Sequence, residues 1–164
     1  MEQRRPDGGL FLPEVIAPVD YKTLKSASYP ELAFSLLRPY LDDFSDQELR
    51  EAVTEAYSPS SFPEKIFDLH VAGDQALLEL FHGLTLTFKD MALSPLPQLM
   101  DVALSKHPEV GDVRILTATS GDTGSAVLSS FASSKRVKVS VLYPEGGIAP
   151  FQERQMLSFT SARG

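Results

Sequence analysis

The segment VRILTATSGDTGSAVLSSFASSKRVKVSVL, from Val113 to Leu142, is the part of the sequence that indicates the fold most clearly. Residues 113–118 and 137–142 are short runs rich in β-branched and apolar side chains, which are typical of strands. Between them, a Gly-containing turn at 120–125 precedes a short helical pattern over 126–133. The order strand, helix, strand is that of a βαβ unit, so the sequence predicts an α/β fold with a parallel strand pair.

Upstream of this unit the sequence predicts mainly helices. A helix is expected over 30–38, because proline suits a first helical position and a second proline, at 39, ends the last turn. Ser45 and Glu48 have the spacing of a capping box and predict the start of a second helix. Its apolar face carries Leu49, Val53 and Tyr57. A short extended piece is expected at 10–12, between turn residues and Pro13.

Two elements are predicted between these helices and the βαβ unit. The apolar runs 66–71 and 76–81 flank a turn at 72–75 and indicate a β-hairpin. A helix is expected over 96–105. One more helix is predicted to begin at Pro150, and the best domain boundary lies near residue 73.

Composition excludes several classes of protein. The chain has 164 residues, 43% of them hydrophobic and 23% charged, which is typical of a globular domain. A net charge of -7 disfavours nucleic acids and anionic membranes as partners. The absence of cysteine excludes disulfides, thiolate metal sites and a cysteine nucleophile. No apolar run approaches the roughly 20 residues of a membrane helix, and no secretory signal pattern is present, so we expect a cytoplasmic protein.

The turn at 120–125 is the first candidate site. A Gly-containing turn between a strand and a helix presents free amides and the positive end of the helix dipole, which suit a carboxylate or a phosphate. The alternative is an ordinary βα turn with a polar cap. The turn matches neither the dinucleotide fingerprint nor the P-loop, so those functions are disfavoured.

Lys89 is the second candidate. It follows an apolar and hydroxyl-bearing run, 84–88, where partial desolvation would lower its pKa and favour an amine able to form a Schiff base. The alternative is a solvated lysine near a helix start. The three histidines, at 70, 82 and 107, show no metal-ligand spacing, and we predict no metal site. No serine lies in the G-x-S-x-G pattern of a hydrolase.

Two long motifs resemble a known family. The chain carries LFHG at 80–83, followed by Thr85 and FKD at 88–90, and then ILTATSGDTG at 115–124. These motifs, in this order and spacing, resemble those of the threonine synthases. Further matches are PDGGLF at 6–11, YP at 143–144 and QERQM at 152–156.

The resemblance implies a fold, a cofactor and a reaction. The fold is the tryptophan-synthase-β-like parallel sheet of fold type II pyridoxal-phosphate enzymes, incomplete here. Residues 1–73 form a small, mostly helical N-terminal domain and residues 74–164 begin the catalytic domain. The family converts O-phospho-L-homoserine and water to L-threonine and phosphate, by γ-elimination and β-addition.

The resemblance also implies roles for residues. Lys89 forms the Schiff base with pyridoxal phosphate and shuttles protons, and Phe88 lies beside the cofactor. Asp122 lies near the O3′ side of the cofactor. The segment that binds the substrate carboxylate comprises Ser120, Gly121, Asp122, Thr123, Gly124 and Ser125.

Two substitutions and the chain length depart from the family pattern. Leu84 stands where the family has proline and Thr87 where it often has alanine, so the turn before Lys89 is expected to be less rigid. The chain is expected to be an N-terminal piece, inactive alone, because the family's Gly-rich phosphate loop and its pyridine-nitrogen partner lie further along. The alternatives are a non-catalytic binding module and another fold type II lyase. The acidic SGDTG turn favours threonine synthase over dehydratases and cysteine synthases.

Overall fold

The computed structural model describes residues 8–9 and 12–161, and within them the chain forms seven α-helices and four β-strands. The helices are α1 Tyr21–Leu24, α2 Tyr29–Leu37, α3 Asp46–Ala56, α4 Asp90–Leu93, α5 Pro95–Lys106, α6 Asp122–Ser130 and α7 Pro150–Ser161. The strands are β1 Asp68–Ala72, β2 Gln75–Glu79, β3 Val113–Ala118 and β4 Val137–Leu142. None of the helices in these residues is long and apolar enough to cross a lipid bilayer.

Nearby side chains explain where α3 begins and where α2 ends. The amide of Ser45 donates to the Glu48 carboxylate at 2.7 Å, and the Glu48 amide donates to the Ser45 hydroxyl at 3.2 Å. The predicted capping box is therefore confirmed. Helix α2 passes into a 3-10 turn, Arg38–Tyr40, where Pro39 removes a helical donor. Of the predicted extended piece at 10–12, residues 10 and 11 lie outside the described part of the chain.

The first hydrophobic core joins α2 and α3. Its members, each at most 9% exposed, are Ala33, Phe34, Phe44, Leu49 and Val53. Leu99, Val102 and Ala103 of α5 pack against this cluster. The face of α3 predicted from its spacing is thus the buried face.

Strands β1 and β2 form the predicted antiparallel hairpin. Asp68 pairs with Glu79 and Ala72 with Gln75, which leaves a two-residue turn at 73–74. Gly73 has φ +63°, a left-handed conformation that glycine adopts without strain. The side chains of this hairpin are mostly exposed.

Strands β3 and β4 pair in parallel, from Val113 opposite Val137 to Ala118 opposite Leu142. The βαβ unit is therefore confirmed, with the strand bounds that the sequence predicts. Helix α6 differs, because it begins at Asp122 and ends at Ser130 instead of covering 126–133. Four of the six residues of the predicted turn, 122–125, thus form the first turn of this helix, since an acidic residue there favours the helix N-terminus.

Helix α5 connects the first core to a second one. Leu104 of α5 packs with Val127, Phe131 and Val137, all of them buried. The same helix therefore contacts both the N-terminal helices and the βαβ unit. The division into 1–73 and 74–164 stays a prediction, and residue 73 lies in the turn of the hairpin.

Candidate functional site

An open cavity of about 750 Å³ lies between the hairpin, the segment 81–90, the start of α6 and helix α7. Three phenylalanines give it aromatic walls, and one carboxylate and two amide side chains face the same space. They are Phe81, Phe88, Phe151, Asp122, Gln152 and Gln155. Two of the predicted site residues, Phe88 and Asp122, thus border one cavity from two separate motifs.

Lys89 lies immediately before α4 and is half-buried. Its ammonium sits over the ring of Phe88, 4.3 Å from the ring centroid, a cation–π contact. Lys65 and Lys106 each form an ion pair with a carboxylate, at 2.5 and 2.8 Å. Within the described residues Lys89 has no such partner, so its nitrogen is not engaged by an acid.

The backbone before Lys89 is fixed by Asp90. Its carboxylate accepts a hydrogen bond from the Thr85 amide at 2.8 Å and another from the Thr85 hydroxyl at 2.7 Å. Thr85 and Asp90 are 1% and 3% exposed. Gly83 lies so close that an added Cβ would stand 2.7 Å from the Asp90 Cγ, which explains a glycine there. Leu86 adopts φ +59°, a strained conformation for a branched side chain, and it faces the cavity.

The N-terminal helices reach the lysine segment through a tyrosine. The hydroxyl of Tyr57, at the end of α3, donates to the Met91 carbonyl at 2.8 Å. Burial raises the pKa of Tyr57, and the neighbouring Tyr29 raises it further. Tyr57 therefore stays protonated and able to donate at physiological pH.

The turn before α6 is shaped by Thr119 and Gly121. The Thr119 hydroxyl accepts hydrogen bonds from the amides of Gly121, at 3.0 Å, and Gly124, at 3.3 Å. Gly121 has φ +152° and ψ −96°, which favours glycine. The amides of Asp122 and Thr123 have no acceptor among the described residues, and first-turn amides carry the positive end of the helix dipole. This arrangement can bind an anion.

The remaining residues of this segment have different surroundings. Ser120 is exposed, whereas Ser125 is fully buried and its hydroxyl donates to the Asp122 carbonyl at 3.0 Å. An added Cβ at Gly124 would lie 2.5 Å from the sulfur of Met156, so this glycine allows α6 and α7 to pack closely. No hydrogen bond or ion pair joins Lys89 to residues 120–125 in the described part of the chain. The segment around Lys89 and the turn at 120–125 are related through the cavity, which Phe88 and Asp122 both line.

A cluster that sequence reasoning missed lies on the hairpin. Asp68, His70 and Glu79 place one ligand atom each within 4.8 Å of one another. The cause is the register, since 68 and 70 share a face of β1 and 79 is opposite 68. The Lys65 ammonium bonds Asp68 at 2.5 Å, and the His82 Nε2 lies 2.9 Å from Glu79. The cluster thus has basic partners within the chain itself.

The fold and the site together define a class of protein. The chain has the architecture of the first part of a fold type II pyridoxal-phosphate enzyme. A crystal structure of pyridoxal-phosphate-bound threonine synthase from Brucella melitensis is similar, with a TM-score of 0.82 and 33% identity over 92% of this chain and 33% of that one. Yeast threonine synthase gives a TM-score of 0.80 and 35% identity over 94% of this chain and 33% of that one.

Sequence comparison points to the same family. The family model "Threonine synthase N terminus" matches residues 4–57. Threonine synthase of Saccharomyces cerevisiae is 37% identical over 92% of this chain and 32% of its own length. Human threonine synthase-like 1 is 36% identical over 96% of this chain and 22% of its own length. The chain is therefore similar, over most of its length, to the N-terminal portion of threonine synthases, and it spans about a third of the length of the yeast relative.

Proposed function

We propose that this chain provides the cofactor-bearing lysine and the substrate-carboxylate site of a threonine synthase. In that role Lys89 holds pyridoxal phosphate through a Schiff base, and residues 120–125 bind the carboxylate of O-phospho-L-homoserine. The product would be L-threonine, with phosphate released. The observation that carries the proposal is that the two motifs border one cavity, through Phe88 and Asp122.

The residues present fit the cofactor. A Schiff base needs an amine that can lose its proton, and Lys89 has no acidic partner among the described residues. The cavity has a volume in the range of small-molecule sites, and its walls include the rings of Phe81 and Phe88. When bound, pyridoxal phosphate withdraws electrons from the substrate carbons.

The chain's own groups have separate tasks in this proposal. Lys89 would hold the cofactor, and its Nζ would accept and return protons. The amides of Asp122 and Thr123, at the positive end of α6, hold the carboxylate.

Reductive labelling tests the proposal. The 164-residue chain is incubated with pyridoxal phosphate, reduced with borohydride, digested and mapped by mass spectrometry. We expect pyridoxyl on Lys89 in clear excess over the other six lysines. Lys89→Arg should remove this label and keep the positive charge.

Lys106→Arg is the matched control, because Lys106 is the ammonium paired with Glu48. This variant should leave the Lys89 label unchanged. Label concentrated on Lys65 or Lys106, or spread evenly over all lysines, would refute the role of Lys89.

A further inference from the structure

We infer that Gln152 and Gln155 of α7 are positioning residues that hold the turn before α6 and the lysine segment on opposite sides of the cavity. The inference rests on the proposed function of that cavity. The motif QERQM at 152–156 contains both glutamines but does not by itself place them at the cavity. Each makes one hydrogen bond to a different motif.

Gln152 is joined to the turn. Its Nε2 donates to the Asp122 carboxylate at 2.6 Å, and its Oε1 accepts from the Ala149 amide at 3.4 Å. The side chain also lies against Gly121, where an added Cβ would stand 2.5 Å from the amide carbon of Gln152. The orientation of the Asp122 carboxylate is therefore fixed from α7.

Gln155 is joined to the lysine segment. Its Nε2 donates to the Thr85 carbonyl at 3.2 Å. Thr85 is already bound to Asp90 by two hydrogen bonds, and Asp90 is the residue after Lys89. A displacement of α7 would therefore be transmitted to the backbone at Lys89 in two steps. The first is the hydrogen bond from Gln155 to Thr85, and the second is the pair of bonds from Thr85 to Asp90.

The placement of the two glutamines follows from helix geometry. Residues three apart lie on one face of a helix, so 152 and 155 face the cavity together. Met156, 2% exposed, packs against Gly124 and anchors α7 to α6. Both acceptors are oxygens, so each position needs a donor. Glutamate would place a carboxylate against an oxygen at either one.

Hydrogen–deuterium exchange on the 164-residue chain measures this positioning directly. Gln152→Glu should accelerate amide exchange in peptides covering 119–124, and Gln155→Met in peptides covering 83–90. Loss of one such bond corresponds to about a fivefold to tenfold faster exchange. The control is Gln47→Met, which removes a 2.9 Å bond to Glu51 on the exposed face of α3 and should change neither segment.

A reversed pair separates hydrogen bonding from packing. In Gln152→Glu with Asp122→Asn, the asparagine amide donates to the new carboxylate, so exchange in 119–124 should return to within about twofold of the wild-type rate. Glutamate also brings a negative charge next to Asp122, so Gln152→Met, which keeps the side-chain length and removes the donor without adding a charge, is measured beside it. A role in packing alone would leave exchange in 119–124 unchanged in Gln152→Met, and that result would overturn the inference.

Labelling of Lys89 serves as the second readout. Both single variants should lower the ratio of pyridoxyl on Lys89 to that on Lys106. If the wild-type chain takes no label on Lys89 but the exchange pattern holds, the proposed function fails and the positioning stands. If Lys89 is labelled but exchange is the same in all variants, the positioning fails alone.

Discussion

The N-terminal helical region and the βαβ region differ in how completely they bury their apolar surface. In the helical region, Leu49 and Val53 are 0% and 1% exposed. In the βαβ region, Leu116 of β3 and Leu142 of β4 are 64% and 58% exposed. The same contrast holds at the cavity, where Phe151 is 59% exposed.

Charged groups show the same difference. At the N-terminal end of α3, Lys106 bonds Glu48 at 2.8 Å, and the Arg50 guanidinium stacks 3.7 Å above the Phe34 ring. Immediately before α4, the Lys89 ammonium contacts only an aromatic ring among the described residues, and Lys89 is not one of the residues that line the cavity. Parallel strands are normally covered on both faces, whereas one face of β3 is open here. The first region thus covers its apolar groups more completely than the second.

Alanine substitutions in the two regions should differ most strongly in their effect on the free energy of unfolding. Leu49→Ala empties a fully buried site and should lower the free energy of unfolding by about 2–5 kcal/mol. Leu116→Ala, on the open face of β3, should change it by no more than about 0.5 kcal/mol. Urea unfolding followed by circular dichroism measures both. Comparable losses in the two variants would mean that the open face is covered in solution.

Asp90→Ala should have the next largest effect. It leaves the buried Thr85 amide and hydroxyl without their acceptor, which corresponds to about 1–3 kcal/mol of stability. The loss should be accompanied by weaker labelling of Lys89, because the loop is no longer fixed. Asp101→Ala, exposed on α5, is the control. An unchanged unfolding midpoint in Asp90→Ala would contradict the assigned role of this carboxylate.

The strands and helix caps could be read from the sequence because they depend on neighbouring residues. Alternation and β-branching gave the bounds of β3 and β4, and the spacing of Ser45 and Glu48 gave the start of α3. The predicted start of α6 was wrong, because the Thr119 hydroxyl accepts hydrogen bonds from the amides of Gly121 and Gly124 and so tightens the turn. Hydrogen bonds from two backbone amides to one side chain do not change the hydrophobic periodicity of a sequence.

Contacts between distant segments could not be predicted. Lys89 and the SGDTG turn were chosen from their motifs, but Gln152 and Gln155 depend on where α7 packs. The cluster of Asp68, His70 and Glu79 depends on hairpin register. Single-sequence patterns hold no information on such packing and register.

The smallest expected effect concerns Glu48 and pH. The hydrogen bond from the Lys106 ammonium, followed by that from the Ser45 amide, lowers the pKa of Glu48 from 4.5 to about 2. A lowered pKa in the folded chain stabilises it above pH 4.5, and this contribution is lost as the pH falls towards 2. Wild type should therefore exceed Glu48→Gln in thermal midpoint at pH 7, with the gap closing across that range.

Two controls accompany this prediction: a measurement at high salt and a variant of a neighbouring glutamate. The gap between wild type and Glu48→Gln should narrow in 1 M salt, where the Debye length is about 3 Å. Glu51→Gln, which removes an exposed carboxylate from the same helix, is the matched control variant. A gap that persists at pH 2 would contradict the ionic origin of the effect.

The chain with pyridoxyl reduced onto Lys89 shows whether the lysine segment and the SGDTG turn serve one site. Backbone amide resonances of the labelled and unlabelled chains are compared by nitrogen–proton correlation NMR. We expect chemical-shift changes at Gly121, Asp122 and Thr123 as well as beside Lys89, with α3 unaffected. Changes confined to residues 86–92 would show that the turn does not share a site with Lys89.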